Sequence, residues 1–269
     1  MAHVIHPTAV IGPDVKLADN VRIGPYVVID GDVTIGSGTE IGAHTTISGW
    51  TRIGEGNRIF PHASIGQDPQ DKKHKRDDKT WLEIGSNNVF REFTTANRGT
   101  IDGGGVTRIG NGNLFMAYSH AAHDCQVGDG CVLANSVALA GHVHVEDRAI
   151  VGGLVGVHQF VRIGTMSMIG GCTKVSQDIP PFAMSVGIPA LVYGLNIVGL
   201  RRSQMPTESI KALKEAFRVL FFSGLSRSSA LERVEREVPQ GPDVRRLVEF
   251  VRSSERGVTA GSTSVAAEE

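Results

Sequence analysis

The sequence has little aromatic content, little cysteine and almost no net charge. Phe, Tyr and Trp make up 6% of its 269 residues, too few for a core built on large rings, whereas 33 glycines suit a chain that turns often. Three cysteines, Cys125, Cys131 and Cys172, cannot make a disulfide framework, which fits a reducing compartment such as the cytoplasm. They read as small buried hydrophobes. A formal net charge of −1 gives no overall grip on nucleic acid, so any charged docking surface must be local. No apolar run approaches the ~20 residues of a membrane span, and the start of the chain lacks a cationic segment followed by a long apolar one. A soluble protein without a transmembrane segment is expected. At 41% hydrophobic residues, the chain still has material for a substantial core.

Order is present as a period of six. Ile5, Ile11, Leu17, Ile23, Ile29, Ile35, Ile41, Ile47, Ile53, Ile59 and Ile65 are all aliphatic, and a second array runs from Ile109 through Val127, Leu139 and Val157 to Val175. Residues two before these positions are mostly small or β-branched, such as Val21, Thr39, Cys131 and Ala149. Two inward positions followed by a corner match neither a helix nor a plain strand, but they fit one short β side of a prism. Glycine often follows the aliphatic, as at Gly12, Gly36 and Gly152, where a corner is expected to need unusual backbone angles. Three sides close a coil of 18 residues, and stacked coils pair through parallel ladders ~4.8 Å apart. The repeat resembles the hexapeptide-repeat family of left-handed parallel β-helices over residues 1–190. The left hand is implied by that resemblance, since parallel crossovers are usually right-handed.

Two stretches break the register. The polar run from Gln67 to Trp81 cannot enter the prism and reads as an extruded loop over residues 67–83; a smaller interruption lies near Arg98 to Val106. After Pro180 and Pro181 the hexad stops. Helical spacing then appears in Ile210, Leu213, Phe217, Leu220 and Phe221, again in Leu231, Val234 and Val238, and again in Val244, Leu247 and Val251. A C-terminal α-helical domain is expected over residues 191–255, followed by a disordered tail over 256–269.

The 18-residue coil turns sequence separation into neighbourhood. His123, Gly141 and Gln159 fall in one column, Asp124 and His142 in the next, with His120 and His158 close by. Four outward histidines therefore gather beside a carboxylate. Three imidazoles could hold zinc, but the γ-class carbonic anhydrases of this superfamily use two histidines five apart on one coil, and no pair here has that spacing. Acyl transfer needs a base titrating near neutrality and a donor for a developing oxyanion, which His123 and the Gly141 backbone N–H supply as neighbours in one column. Cys125 sits at an inward position and reads as structural.

The run from His120 through His123, Asp124 and Cys125, then Leu139 to Val143, then Val157 to Phe160, resembles the UDP-N-acetylglucosamine O-acyltransferases of lipid A biosynthesis. Asn97 to Thr100, Gly170 to Cys172, and Gly194 to Arg202 extend the match over nearly the whole chain. The resemblance implies a homotrimer with its site between neighbouring prisms, acyl carrier protein as donor of a 3-hydroxyacyl group held on its phosphopantetheine, UDP-N-acetylglucosamine as acceptor, and no metal or other cofactor. It implies His123 as general base, Asp124 as its orienting partner and Gly141 as oxyanion donor. Asp71, Lys73, Asn97, His120, His142, His158, Gln159, Asn196 and Arg202 would contact substrate, and the small Gly171 would leave room for a longer acyl chain. Asn97 stands where the best-known members have histidine, Val198 where they have an acidic residue and Ser203 where a second arginine follows the first. Asn97 leaves open whether the acceptor atom is oxygen or nitrogen. The alternatives are a sister enzyme acylating an amino-sugar nitrogen, which is expected to carry a further N-terminal domain, and another hexapeptide-repeat acyltransferase. Arg201, Arg202, Lys211, Lys214 and Arg218 form either a solubilising face or a surface for an acidic carrier protein.

Overall fold

In the computed structural model, residues 4–75 and 77–262 are described. The period of six becomes a triangular prism. Its strands, mostly two residues long, lie in three sheets of 11, 9 and 8 strands. The first face begins with Val4–Ile5, the second with Val10–Ile11 and the third with Lys16–Leu17. Each strand pairs in parallel with the strand one coil on, as in Val4 with Arg22, Val10 with Val28 and Lys16 with Thr34. Inward pairs such as Val21 and Ile23, Val27 and Ile29, and Val33 and Ile35 are at most 3% exposed. Each fully buried aliphatic side chain is worth about 1.5–3 kcal/mol over leaving it in water, so the hexad supplies the core coil by coil.

Both interruptions leave the prism at one edge. Thr51 pairs with Leu82 and Leu82 with Thr107, offsets of 31 and 25 that exceed one coil by thirteen and seven residues. The first insertion lies between Ser64–Gln67 on the second face and Trp81–Ile84 on the third. Residues 81–83 therefore belong to a strand, not to the expected loop; Leu82 is fully buried and turns the chain back into register. The second insertion lies between Thr95–Asn97 and Val106–Ile109, again between the second and third faces.

The glycines that directly follow the aliphatic mostly serve close approach, not unusual angles, although Gly66 has φ of 76°. Gly36, Gly54 and Gly110 have ordinary φ, but a Cβ on any of them would run into the backbone of the next coil, at Gly54, Gly85 and Gly128 respectively. Left-handed φ falls instead two residues further on, at Gly38, Gly56 and Gly112 on that same edge and at bulky side chains on the edge between the first and second faces. Tyr26, His44, His62, Phe93 and Tyr118 have φ of 56° to 63°, and their rings stack along the edge between the first and second faces with centroids 4.9 to 5.0 Å apart. The same corner holds Cys172, which is exposed and so departs from the buried role expected of it, while Cys125 and Cys131 are buried.

Inside the first face the aliphatic pattern gives way to asparagines. Asn88 donates through Nδ2 to Asn57 Oδ1 at 3.0 Å and to the Gly110 carbonyl at 2.9 Å, and its Oδ1 accepts from the Asn113 N–H at 2.9 Å. This ladder satisfies buried backbone carbonyls at the corner between the third and first faces.

Beyond the last coil, Ala183–Val186 joins the first face and pairs antiparallel with Leu191–Leu195. Four helices follow: α1 (Ile197–Arg202), α2 (Thr207–Phe222), α3 (Arg227–Glu237) and α4 (Pro242–Arg252). The last three bury the apolar positions expected of them, including Leu213, Phe217, Val234, Leu247 and Val251, although Val238 is an extended C-cap outside its helix. The single-turn α1 has too short a period to read from sequence. Residues 256–262, expected in a disordered tail, are instead sewn to the prism. The Asp178 N–H donates to the Gly257 carbonyl, the Thr259 N–H to the Asp178 carbonyl and the Val192 N–H to the Ala260 carbonyl, at 2.8 to 2.9 Å. The rest of that stretch, 263–269, lies outside the described residues.

Asn88→Ala removes two donors and an acceptor from buried partners, which costs about 1–3 kcal/mol for each group left unsatisfied. Chemical denaturation should show a loss of about 2–4 kcal/mol on that basis, and a loss below about 0.5 kcal/mol, the usual surface range, would remove the ladder from the stability of the prism.

Candidate active site

The edge that expels both insertions also carries the histidines. Asp124 follows His120–Ala121 of the second face and precedes Gln126–Val127 of the third; one coil on, Gly141 and His142 occupy the same corner, and a further coil on, Gln159 and Phe160. Asp124 and His142 take the left-handed corner position, with φ of 61° and 62°. That conformation swings their side chains off the faces and over the edge. The predicted columns are therefore present in space.

Asp124 organises the cluster. Its side chain is 1% exposed, and burying a charge is costly unless it is paired and hydrogen-bonded. Oδ2 meets His123 Nδ1 at 2.8 Å. A carboxylate only accepts, so that nitrogen donates, and in the neutral imidazole the lone pair is then on Nε2. The Thr100 N–H donates to Oδ1 at 2.8 Å and the Thr100 hydroxyl to Oδ2 at 2.7 Å. His142 Nε2 stands 3.6 Å from Oδ2, with its ring stacked on Phe160 at 4.4 Å and edge-on to His123 at 5.2 Å. Asp124 is thus both a corner residue and the imidazole's partner.

Gly141 lies against the other side of that imidazole. A Cβ there would sit 2.5 Å from Cε1 and 2.8 Å from Nε2 of His123, so only glycine lets the ring stand where it does. The Gly141 N–H donates to no acceptor among the described residues. An imidazole and an uncommitted amide are therefore neighbours in adjacent coils at this edge.

The remaining predicted residues are distributed unevenly. His120 sits on the second face with Nδ1 2.7 Å from Thr95 Oγ1; burial, and then the charge of His123, hold its pKa below the ordinary imidazole value. His158 and Gln159 are exposed, and His158 Nδ1 contacts the Gln159 carbonyl at 3.1 Å. Asp71 and Lys73 line a cavity of about 250 Å³ with Thr100, Ile101 and Asp102, so the first insertion leans on the second. Asn97 is buried and donates through Nδ2 to the Asp68 carbonyl at 2.8 Å, while its Oδ1 has no partner among the described residues. Arg98 clamps the base of the loop, paired with Asp68 and over the Trp50 ring at 4.9 Å. Gly171 faces the edge between the first and second faces, where a Cβ would meet the Gly153 carbonyl at 3.2 Å.

Asn196 and Arg202 are not brought to this cluster. Asn196 caps α1, accepting from the Gly199 N–H at 3.1 Å and donating to the Met166 carbonyl at 3.0 Å, and Met166 belongs to the edge between the third and first faces. Arg202 ends the same helix. Sequence reasoning missed Thr100, Thr107, whose hydroxyl accepts from the Asp124 N–H at 2.7 Å, and Phe160. Thr100 was visible only as part of the Asn97 to Thr100 motif.

His120 should titrate below the ~6.5 of a free imidazole. An unfolded chain then takes up a proton that the folded chain resists, so stability falls as pH drops from about 6.5. Imidazole Cε1 chemical shifts followed against pH would give the midpoint, and a value at or above that of a model imidazole would contradict the burial described.

Two family models match the chain: a bacterial transferase hexapeptide model of six repeats over residues 14–49 and 107–141, and UDP-N-acetylglucosamine O-acyltransferase, domain 2, over residues 178–259. The acyl-[acyl-carrier-protein]–UDP-N-acetylglucosamine O-acyltransferase of Alkalilimnicola ehrlichii is 55% identical over 254 residues, covering 94% of this chain and 98% of that relative. The enzyme of the same name from Thiobacillus denitrificans is 51% identical over 254 residues, with the same coverage. The crystal structure of a UDP-N-acetylglucosamine acyltransferase from Bacteroides fragilis superposes with a TM-score of 0.93 at 44% identity, covering 95% of this chain and 99% of that one. The prism is a left-handed parallel β-helix with a C-terminal helical region, and the chain belongs to the UDP-N-acetylglucosamine O-acyltransferase family.

Proposed function

We propose that the chain transfers a (3R)-3-hydroxyacyl group from the phosphopantetheine thioester of acyl carrier protein to the 3-hydroxyl of UDP-N-acetylglucosamine, the opening step of lipid A biosynthesis, in the cytoplasm. The observation that carries the chemistry is the placement of His123 between Asp124 and Gly141. Nε2 takes the proton of the sugar hydroxyl as that oxygen attacks the thioester carbonyl. The Gly141 N–H holds the oxyanion, and Asp124 stabilises the imidazolium. Collapse of the tetrahedral intermediate breaks the carbon–sulfur bond, and the imidazolium returns its proton to the departing thiolate. Ester and free carrier thiol result. No nucleophilic side chain is needed; Cys125 Sγ donates to the Ala140 carbonyl, and burial pushes its pKa up to about 12.

His123, Asp124 and His142 offer ligand atoms within 4.8 Å of one another, which is the geometry a metal would want. Both Asp124 oxygens are already committed, however, to Thr100 and to the Nδ1 proton of His123. The donor set therefore supports a metal-free dyad. The position of Asn196 and Arg202 on another edge supports a homotrimer in which a neighbouring copy brings them to the histidines. A cavity of about 610 Å³ between Tyr193, Phe217 and Phe222 is rimmed by Lys211, Lys214 and Arg218, chemistry suited to an acidic carrier protein. Among the described residues no helix is long and apolar enough to cross a membrane.

Asn97, which stands where the best-known members have histidine, keeps one second reading open, an acceptor bearing a 3-amino group in place of the 3-hydroxyl. Assaying UDP-N-acetylglucosamine and its 3-amino analogue against a panel of acyl carrier thioesters decides between them by product. His123→Ala should lower kcat by about 10²–10⁴-fold, the span of general-base loss, while substrate binding survives. Full activity in that variant would remove His123 from the reaction. Prolonged chelation should leave the rate unchanged; a rate lost to chelator and restored by zinc would replace the dyad with a metal site.

A further inference from the structure

We infer that Thr100, carried by the second insertion, is the positioning residue that commits Asp124 to His123 in preference to His142. The inference rests on the general-base reading above. Two imidazoles compete for one carboxylate oxygen: His123 Nδ1 lies 2.8 Å from Asp124 Oδ2 and His142 Nε2 lies 3.6 Å from it. Rotating the carboxylate would change which imidazole it serves.

Thr100 blocks that rotation at both oxygens. Its N–H holds Oδ1 and its hydroxyl holds Oδ2. The hydroxyl proton has a fixed direction, because Thr100 Oγ1 accepts from the Gly103 N–H at 3.1 Å and so turns its own proton to the carboxylate. Gly103 then closes over the group, since a Cβ there would collide with the carboxylate itself. On the remaining side, Thr107 Oγ1 anchors the Asp124 backbone N–H. The insertion thus supplies a two-point clamp and a lid. The ionisable groups around the carboxylate are His123 and His142 on its own edge and His120 on the adjoining face, with Asp71, Lys73, His74, Lys75, Asp78 and Asp102 lining the cavity next to Thr100.

Without the hydroxyl the carboxylate keeps one tether, the Thr100 N–H to Oδ1, and Oδ2 is released toward His142. His123 then loses both its tautomeric lock and the counter-charge of its imidazolium, so its basicity falls. Because kcat/KM follows the unprotonated base, the acid limb of the profile moves to lower pH while the maximal rate drops. A residue with a merely structural role would alter stability and leave that limb in place.

The test compares Thr100→Val, Thr100→Ser and Gly103→Ala in the full-length enzyme. Thr100→Val should lower kcat about 10- to 100-fold, the scale on which outer partners of a reacting imidazole act in metal sites, with KM for both substrates unchanged. The acid limb of its kcat/KM profile should move to lower pH, the direction expected for losing a nearby opposite charge. Thr100→Ser, which keeps the hydroxyl, should restore both. If Thr100→Val does not fold, Gly103→Ala carries the test by displacing the carboxylate with the hydroxyl intact, and the same movement of the acid limb is expected. A folded Thr100→Val with the parent rate and profile overturns the inference, as does a Thr100→Ser equally slow, or a Gly103→Ala with an unmoved limb. If those variants are unaffected while His123→Ala is inactive, Thr100 alone is refuted; an active His123→Ala refutes the base itself.

Discussion

Backbone ladders that join each residue to the one a full coil away hold everything else in place. Val4 with Arg22 and Arg108 with Gln126 are the same bond pattern repeated, and it is non-local at every step. A parallel coil has no short hairpins to rely on, so its specificity comes from the inward aliphatics, whose displacement by one position would turn them to water. Once that register is set, any two residues a coil apart become neighbours with no further information. His123 and Gly141 meet for this reason and no other.

The edge cluster shows what a rigid frame contributes to chemistry. An imidazole in water has two tautomers and free rotation; here a buried carboxylate fixes the proton on Nδ1 and a glycine fixes the ring against a bare amide. On the proposed reading the electrostatics are set before substrate arrives, the condition under which fixed dipoles act most strongly on a transition state. The carboxylate is held mostly by an element outside the repeat, the 98–105 insertion. Its counterpart, the 68–80 insertion, is anchored to the same segment through Arg98 and Asp68, so both departures from the repeat converge on one place.

Much of this was legible in the residues. The hexad announced the prism because its two inward positions recur independently of everything between them, and the coil length placed His123, Gly141 and Gln159 in one column. Thr100 was not legible as a partner of Asp124, because an insertion breaks the count on which the columns depend. The role of Gly36 and its equivalents was misread: spacing reveals that a corner wants glycine, but not whether the cause is torsion or crowding. Residues 256–262 were misread for a different reason. Their Gly, Ser and Thr composition looks solvated, yet they are held by main-chain bonds to Asp178 and Val192, a form of attachment in which side-chain character has little say.

The placement of both insertions at a single corner carries a wider implication. Lengthening a face would throw every later side chain to the wrong side, whereas a segment of any length spliced between two faces leaves the downstream count intact. Such a scaffold can acquire, lose or exchange whole recognition loops without renegotiating its interior. Swapping the 68–80 segment for one of different size and chemistry is therefore a modular operation on this molecule, one that would reshape the cavity beside Thr100 while the prism beneath it stays where it was.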